Sequence, residues 1–411
     1  MCSDETAKVH PPWLHVVGIG ADGWDGLAPT AREAVESAAF VIGGSRHLES
    51  LPAVDGQARE TWPSPLSDAY ERILARRGES VCVLASGDPS WYGIGATLTR
   101  YVDAAEMEVI PAPSAFSLAA ARMGWPLQHT ACVSVHGRAL ERVIPELHDG
   151  ARVLILSWDG ETAQALAELL AARGLGRSRL TVLEWLGAPE EARHATTAAD
   201  WDRPHTADLN TIALDCVADA DAQVVAASPG RPEALFEHDG QITKREIRAV
   251  TLAMLAPGRG ETLWDIGAGS GSIAIEWMLS HPSQHAIAIE ARGDRADFIR
   301  ANARDCGVPD LECVEGEAPA ALADLAPPDA VFIGGGLTTP ELLDACWYVL
   351  PAGGRLVANS VTLEGDAVLA EAVARYGGKL TRIAVTRGEE LGGFTGWAPL
   401  RPVTIWHADK P

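Results

Sequence analysis

The sequence lacks a long hydrophobic run. No apolar stretch among its 411 residues approaches the ~18 residues that cross a bilayer, so no membrane-spanning helix is expected. It is also short of basic charge. Lys and Arg number 33 against 56 Asp and Glu, giving a formal net charge of −23 with the excess in both halves. Such a surface repels phosphate backbones and anionic lipid, which argues against nucleic-acid and membrane partners. Metal-ligand spacing is missing too. Cys2, Cys82, Cys132, Cys216, Cys306, Cys313 and Cys346 are scattered, with no Cys-x-x-Cys and no Cys/His cluster. No metal site is expected, and the thiols read as small buried hydrophobes in a reducing cytoplasm. Met1–His10 is polar, with Lys8 its one basic residue. It has no apolar stretch like a secretory signal, so a cytoplasmic protein is expected.

What is present is a repeating alternation. At roughly 150 residues per domain, the length suggests two or three domains. Short apolar runs of strand length recur at Leu14–Ile19, Phe40–Ile42, Ser80–Ala85, Met107–Ile110, Ala131–Val135, Arg152–Leu156, Leu180–Leu183 and Thr211–Asp215. Helical stretches such as Glu161–Arg173, closed by Gly174, lie between them. Asp219–Pro232 breaks the pattern with alternating Ala and Asp and two prolines. The alternation then resumes, with strands at Thr262–Ile266, His285–Ile289, Leu311–Val314, Ala330–Ile333 and Gly354–Ala358. The reading is two α/β domains, 12–218 and 233–409, joined by a linker over 219–232. The Gly-rich turns of the halves differ, which argues against duplication.

In the second half, Thr262–Met278 runs strand, Gly-rich turn, helix. Asp265 precedes Gly267, Gly269 and Gly271. Glycines there let the backbone turn sharply and approach a ligand. Glu290 ends the next strand, where a carboxylate can accept both hydroxyls of a ribose. The spacing Gly-x-Gly-x-Gly is not that of dinucleotide sites and resembles class I S-adenosylmethionine (SAM) methyltransferases. The resemblance places the cofactor against Thr243, Gly267, Ala268, Gly269, Ser270, Gly271, Glu290, Glu317 and Ala318. Glu317 departs from the aspartate frequent in that family. Thr243 and Glu246 also fit a capping box at a helix start, a role that can coexist with a ligand contact. Gly334-Gly335-Gly336 reads as an open mouth for a bulky substrate or as a flexible loop.

In the first half, four loops follow four strands: Gly18–Gly23, Gly43-Gly44, Ser86–Gly93 and Pro111–Ala115. A lone Gly-Asp-Pro is an ordinary turn. In this order the set resembles the tetrapyrrole methylase family (class III methyltransferases), a two-lobed α/β fold. That resemblance places Gly87, Asp88, Trp91, Ser114 and Ala115 at a second SAM site. Ala21 stands where the family often has proline. Trp91 is also singled out among thirteen tryptophans, because indole stacks well on flat ligands.

A tetrapyrrole methylase followed by a Rossmann-like class I methyltransferase resembles the fused, decarboxylating precorrin methyltransferases of cobalamin biosynthesis, over about Trp13–Ala408. The resemblance implies a carboxylate-rich tetrapyrrole substrate, precorrin-6B. It implies methylation of carbon 5 by the first domain. Carbon 15 methylation and loss of the ring C acetate carboxyl go to the second. It also implies a homo-oligomer. The alternatives are a cobalt-containing substrate, another tetrapyrrole, or a scaffold that binds SAM without turnover. A nucleic-acid methyltransferase would want a basic face and an Asn/Asp-Pro-Pro-Tyr/Phe motif, and neither is present. Substrate carboxylates call for cations, and Arg248, Arg245 and Arg387 are the candidates, each alternatively a solvated surface arginine. No catalytic acid–base pair is expected, since an electron-rich ring carbon needs alignment more than activation.

Overall fold

The computed structural model describes residues 12–411, so the Met1–His10 segment read above lies outside the described residues. The chain divides into two compact units. One holds the described residues through Arg138 together with His148–Gln223, and the other holds Ala139–Leu147 and Val224–Pro411.

In the first unit, β1 (Leu14–Ile19), β2 (Phe40–Gly43), β3 (Ala58–Thr61), β4 (Val81–Ser86) and β5 (Met107–Ile110) form a parallel sheet ordered β3-β2-β4-β1-β5. Alternate side chains enter opposite cores: Leu14 and Val16 one, Val17 and Ile19 the other. Burial on both faces is why these strands read as continuous apolar runs. β1 and β4 stay in register to Ile19↔Ser86, so the loops after them leave the same sheet edge. A second sheet contains β6 (Ala131–Ser134), β7 (Arg152–Leu156), β8 (Arg179–Glu184), β9 (Ala192–Thr197) and β10 (Asn210–Asp215). Its order is β6-β7-β10-β8-β9, parallel only at β6–β7.

The second unit is one seven-stranded sheet. Its strands are β11 (Thr262–Ile266), β12 (His285–Glu290), β13 (Glu312–Glu315), β14 (Ala330–Ile333), β15 (Arg355–Ser360), β16 (Lys379–Ile383) and β19 (Val403–Asp409). The order is β13-β12-β11-β14-β15-β19-β16, with β19 antiparallel to both neighbours. Between β15 and β19 the chain also forms a hairpin, β17 (Thr386–Leu391) with β18 (Phe394–Pro399). Leu263 packs on one face of the sheet, Trp264 and Ile266 on the other. Strand order reverses between β11 and β14, and in open α/β sheets such a reversal opens a crevice at the carboxyl ends of the strands.

Candidate functional site

That crevice is a cavity of about 1000 Å³ in the second unit. The Gly-rich turn shapes its floor. Gly267, Gly269 and Gly271 have φ of +68°, +60° and +74°, the left-handed region that disfavours side chains. A Cβ on Gly267 would sit 2.6 Å from Gly335 Cα, so the two loops can approach this closely only as glycines. Glu290 Oε2 accepts from Gly269 N–H at 2.8 Å and Oε1 accepts from Arg292 N–H at 3.1 Å. The carboxylate is thereby aimed and keeps lone pairs for a ligand hydroxyl. Asp265, at the end of β11, is fully buried, and its Oδ2 accepts from Ala274 N–H at 3.0 Å while Oδ1 has no protein partner. Burial pushes its carboxyl up to about 7, and the nearby Glu290 charge adds to this. An orphaned buried oxygen on a cavity wall is what a site for a donor-bearing, cationic ligand presents.

Thr243, Gly267, Ala268, Gly269, Ser270, Glu290, Glu317 and Ala318 all line this cavity. Gly271 does not. It precedes the helix Ser272–Met278 in a left-handed conformation, and a Cβ there would meet Ile299 at 3.1 Å. Its role is turn and packing. Residues outside the motifs hold the turn in place. Asn302, 1% exposed, donates to Ser270 O and Glu237 O and accepts from Glu237 N–H. The sequence signal for it is a lone amide on the buried face of the helix Gly293–Asp305.

The three arginines nominated as carboxylate contacts sit elsewhere. Arg248 is fully buried. It donates to Glu276 Oε1 at 2.7 Å, to Thr243 O at 2.5 Å and to Arg231 O. Its guanidinium lies 4.9 Å from the Phe236 ring. It is a strut between the Thr243 turn and the helix after the Gly loop, buried and off the cavity wall. Arg387 is tied to Glu246 and Glu233 at 2.6 and 2.8 Å. Burial alone would raise Glu233, but Arg387 and backbone N–H groups outweigh it and hold that carboxyl at about 2. Arg245 is exposed and off the cavity wall. The capping box does not form either. The helix starts at Arg245 after Lys244, with no side-chain cap, and the Glu246 carboxylate is taken by Arg387. Cations do reach the wall in Lys244, Arg295 and Arg401. Arg295 is bound to Asp239 at 2.7 Å, whereas Lys244 and Arg401 have no carboxylate partner among the described residues.

The first unit has its own cavity, about 490 Å³, at the carboxyl edge of its parallel sheet. Gly87, Asp88, Trp91, Ser114 and Ala115 all line it. Gly87 has φ +62°, and a Cβ on Gly18 would lie 2.1 Å from Gly87 O, so this pair of loops also depends on a missing side chain. Asp88 Oδ1 accepts from Ser90 N–H at 2.8 Å, closing the Gly-Asp-Pro turn. Ser114 Oγ accepts from Ser117 N–H at 3.1 Å and caps the helix Ala115–Met123. Trp91 is 38% exposed, with its ring 5.2 Å from Phe116. Arg46, His47, His136, Arg138 and Asp208 are among the charged and polar residues of its wall.

A parallel-sheet unit with a Gly-Asp-Pro wall, followed by a seven-stranded unit with a Gly-x-Gly-x-Gly floor, defines a fused methyltransferase. Tetrapyrrole (Corrin/Porphyrin) Methylases matches residues 13–202, and the Precorrin methyltransferase domain matches residues 234–410. A Sinorhizobium sp protein named precorrin-6Y C(5,15)-methyltransferase [decarboxylating] is 51% identical over 99% of both chains. A relative of the same name from Mycobacterium tuberculosis (strain CDC 1551 / Oshkosh) is 44% identical over 96% of this chain and 99% of its own. Among solved structures, the C-terminal domain of precorrin-6Y C5,15-methyltransferase from Rhodobacter capsulatus is 50% identical. It covers 45% of this chain and 100% of its own, with a TM-score of 0.43. The chain belongs to the decarboxylating precorrin-6Y C(5,15)-methyltransferase family.

Proposed function

We propose that the chain carries out SAM-dependent methylation of precorrin-6B at carbons 5 and 15 with decarboxylation of the ring C acetate, giving precorrin-8X in cobalamin biosynthesis. The observation that carries this reading is the family match along nearly the whole of both chains. Each unit also has a cavity lined by its own glycine-dependent turn. Two SAM sites are part of the proposal, as are a homo-oligomer, a cytoplasmic location and functional domains 12–218 and 233–409.

In the second unit Gly267–Ser270, Glu290 and Ala318 would hold SAM; in the first, Gly87, Asp88, Trp91, Ser114 and Ala115 would. Bound SAM supplies an electrophilic methyl group. The rest is the work of the chain. Phe332, Val385, Leu400 and Val403 give the larger cavity an apolar wall that excludes water. Lys244 and Arg401 meet substrate carboxylates and set the macrocycle's orientation. The nucleophile is an electron-rich ring carbon, so no strong base is required. Once the ring is methylated or protonated, its conjugated system accepts the electron pair released as carbon dioxide leaves.

The test is turnover of metal-free precorrin-6B with SAM, read by mass spectrometry, beside cobalt-loaded substrate. The expected product is two methyl groups heavier and one carbon dioxide lighter. A single methylation without decarboxylation refutes the two-site assignment. Preference for the cobalt form moves the substrate to that series.

A further inference from the structure

The first-unit cavity has a polar corner made by residues outside the proposed cofactor set. It is built by Arg46 and His47, just after β2, and by Ser86 at the end of β4. His47 is 6% exposed. Its Nε2 lies 3.2 Å from Arg46 Nη2 and 3.3 Å from Ser86 Oγ. A guanidinium can only donate, so Nε2 is the acceptor and the ring proton is on Nδ1. That Nδ1 is buried without a partner. An unmet buried donor is unfavourable, so this arrangement is kept against a local penalty. Burial, then the Arg46 charge, lower the His47 pKa to about 4. The ring is therefore neutral at physiological pH. It is also too weak a base to take a proton from a ring carbon. What remains for it is to hold Arg46.

Arg46 is half-buried on the cavity wall. Its hydrogen-bond partner is the neutral His47, and no carboxylate lies within ion-pair distance of it among the described residues. A partly desolvated cation without its anion is a ready site for an incoming anion. The planar fork of a guanidinium suits a carboxylate, which it can bind through two parallel bonds.

The geometry points to Arg46 as an anchor for a carboxylate side chain of the tetrapyrrole in the first-unit cavity, and to His47 as the positioning residue that presents it. This rests on the tetrapyrrole reading above, so the experiment has two arms. In the first, binding of the polycarboxylate uroporphyrin is followed by fluorescence in the full-length wild type, Arg46→Gln, His47→Phe, His47→Gln and the double variant Arg46→Gln/His47→Phe. Arg46→Gln weakens the Arg46-dependent binding ~10-fold or more. His47→Phe weakens it comparably, and His47→Gln, whose amide carbonyl can accept the same bond, restores it. In the Arg46→Gln background His47→Phe adds nothing, because the two act as one unit. SAM affinity and Tm stay near wild type in the Arg46 variant.

In the second arm, precorrin-6B turnover shows the same variants raising KM for carbon 5 methylation far more than they lower kcat. Equal uroporphyrin binding by wild type and Arg46→Gln, or no binding by the wild type, overturns the anchor. A His47→Phe effect that persists in full without Arg46 overturns the positioning role. If binding depends on Arg46 but the wild type leaves precorrin-6B unmethylated, the anchor stands and the substrate assignment falls.

Discussion

At the scale of single residues, two positions in the second unit do work that other side chains cannot. Gly267 keeps a left-handed φ where a Cβ would overlap the Gly335 backbone. Gly267→Ala therefore forces the two loops apart. Isothermal titration should show one SAM equivalent lost and the first unit's equivalent retained; two intact equivalents would mean the turn does not contact cofactor. Asp265 contributes a pH signature. Its carboxyl sits at about 7 in the folded chain because it is buried, against 3.8 for an ordinary aspartate. The folded state thus holds this proton more tightly than the unfolded state. The group opposes folding increasingly as pH rises from about 4 to 7, and its full cost is present above 7. Asp265→Asn removes that cost. Relative to wild type, Tm of the variant should be more favourable at pH 8 than at pH 5, read by thermal scanning without ligand. An identical difference at both pH values would place the Asp265 pKa outside this window.

At the scale of elements, the buried cluster around Glu276 is the main tie beneath the Gly loop. Glu276 accepts from Arg248 and from the Gly230 and Arg231 N–H groups, with the Arg231 guanidinium 3.7 Å away. One buried carboxylate serves two buried guanidiniums, so the partners are not equivalent. Glu276→Gln leaves two buried cations without their anion, whereas Arg248→Met leaves Glu276 with Arg231. Denaturant unfolding of the second unit should rank Glu276→Gln as the more destabilising, with Arg248→Met costing about 3 kcal/mol. The reverse order would contradict the cluster's charge balance. This cluster also shows where the sequence stops being readable. Central strands such as Leu14–Ile19 and Thr262–Ile266 are legible to the residue, because both their faces are buried and, Asp265 apart, mostly apolar. Edge and exposed strands, Ala58–Thr61, Ala192–Thr197 and the segments from Lys379 to Pro399, carry no such periodicity, and the pattern missed them. The Thr243–Glu246 spacing looks like a cap. It fails as one because Arg387, 141 positions away, takes the carboxylate. A local motif cannot reveal a competitor that distant. The Gly-rich turns were legible because their geometry is written in adjacent residues. The roles of Arg248, Asn302 and Glu276 depend on partners far along the chain.

At the scale of the whole molecule, the charge of −23 and the cations on the cavity walls act over different distances. The net charge is felt by a polycarboxylate approaching from solution, over a Debye length of about 30 Å at 0.01 M salt and about 8 Å at 0.15 M. Arg46, Arg138, Lys244 and Arg401 are felt only at contact. Salt should therefore affect arrival and residence oppositely. Stopped-flow measurements with a polycarboxylate tetrapyrrole should show the association rate rising as salt is added, because long-range repulsion is screened. The dissociation rate should rise as well, because the contacts weaken. An association rate that falls with salt would mean the cavity mouths project a positive field, despite the acidity of the chain. With the lone wall cations as the proposed carboxylate contacts, the molecule would act as an electrostatic sieve. A multiply charged anion would be slowed at the surface and held only where its carboxylates match the few positive points inside.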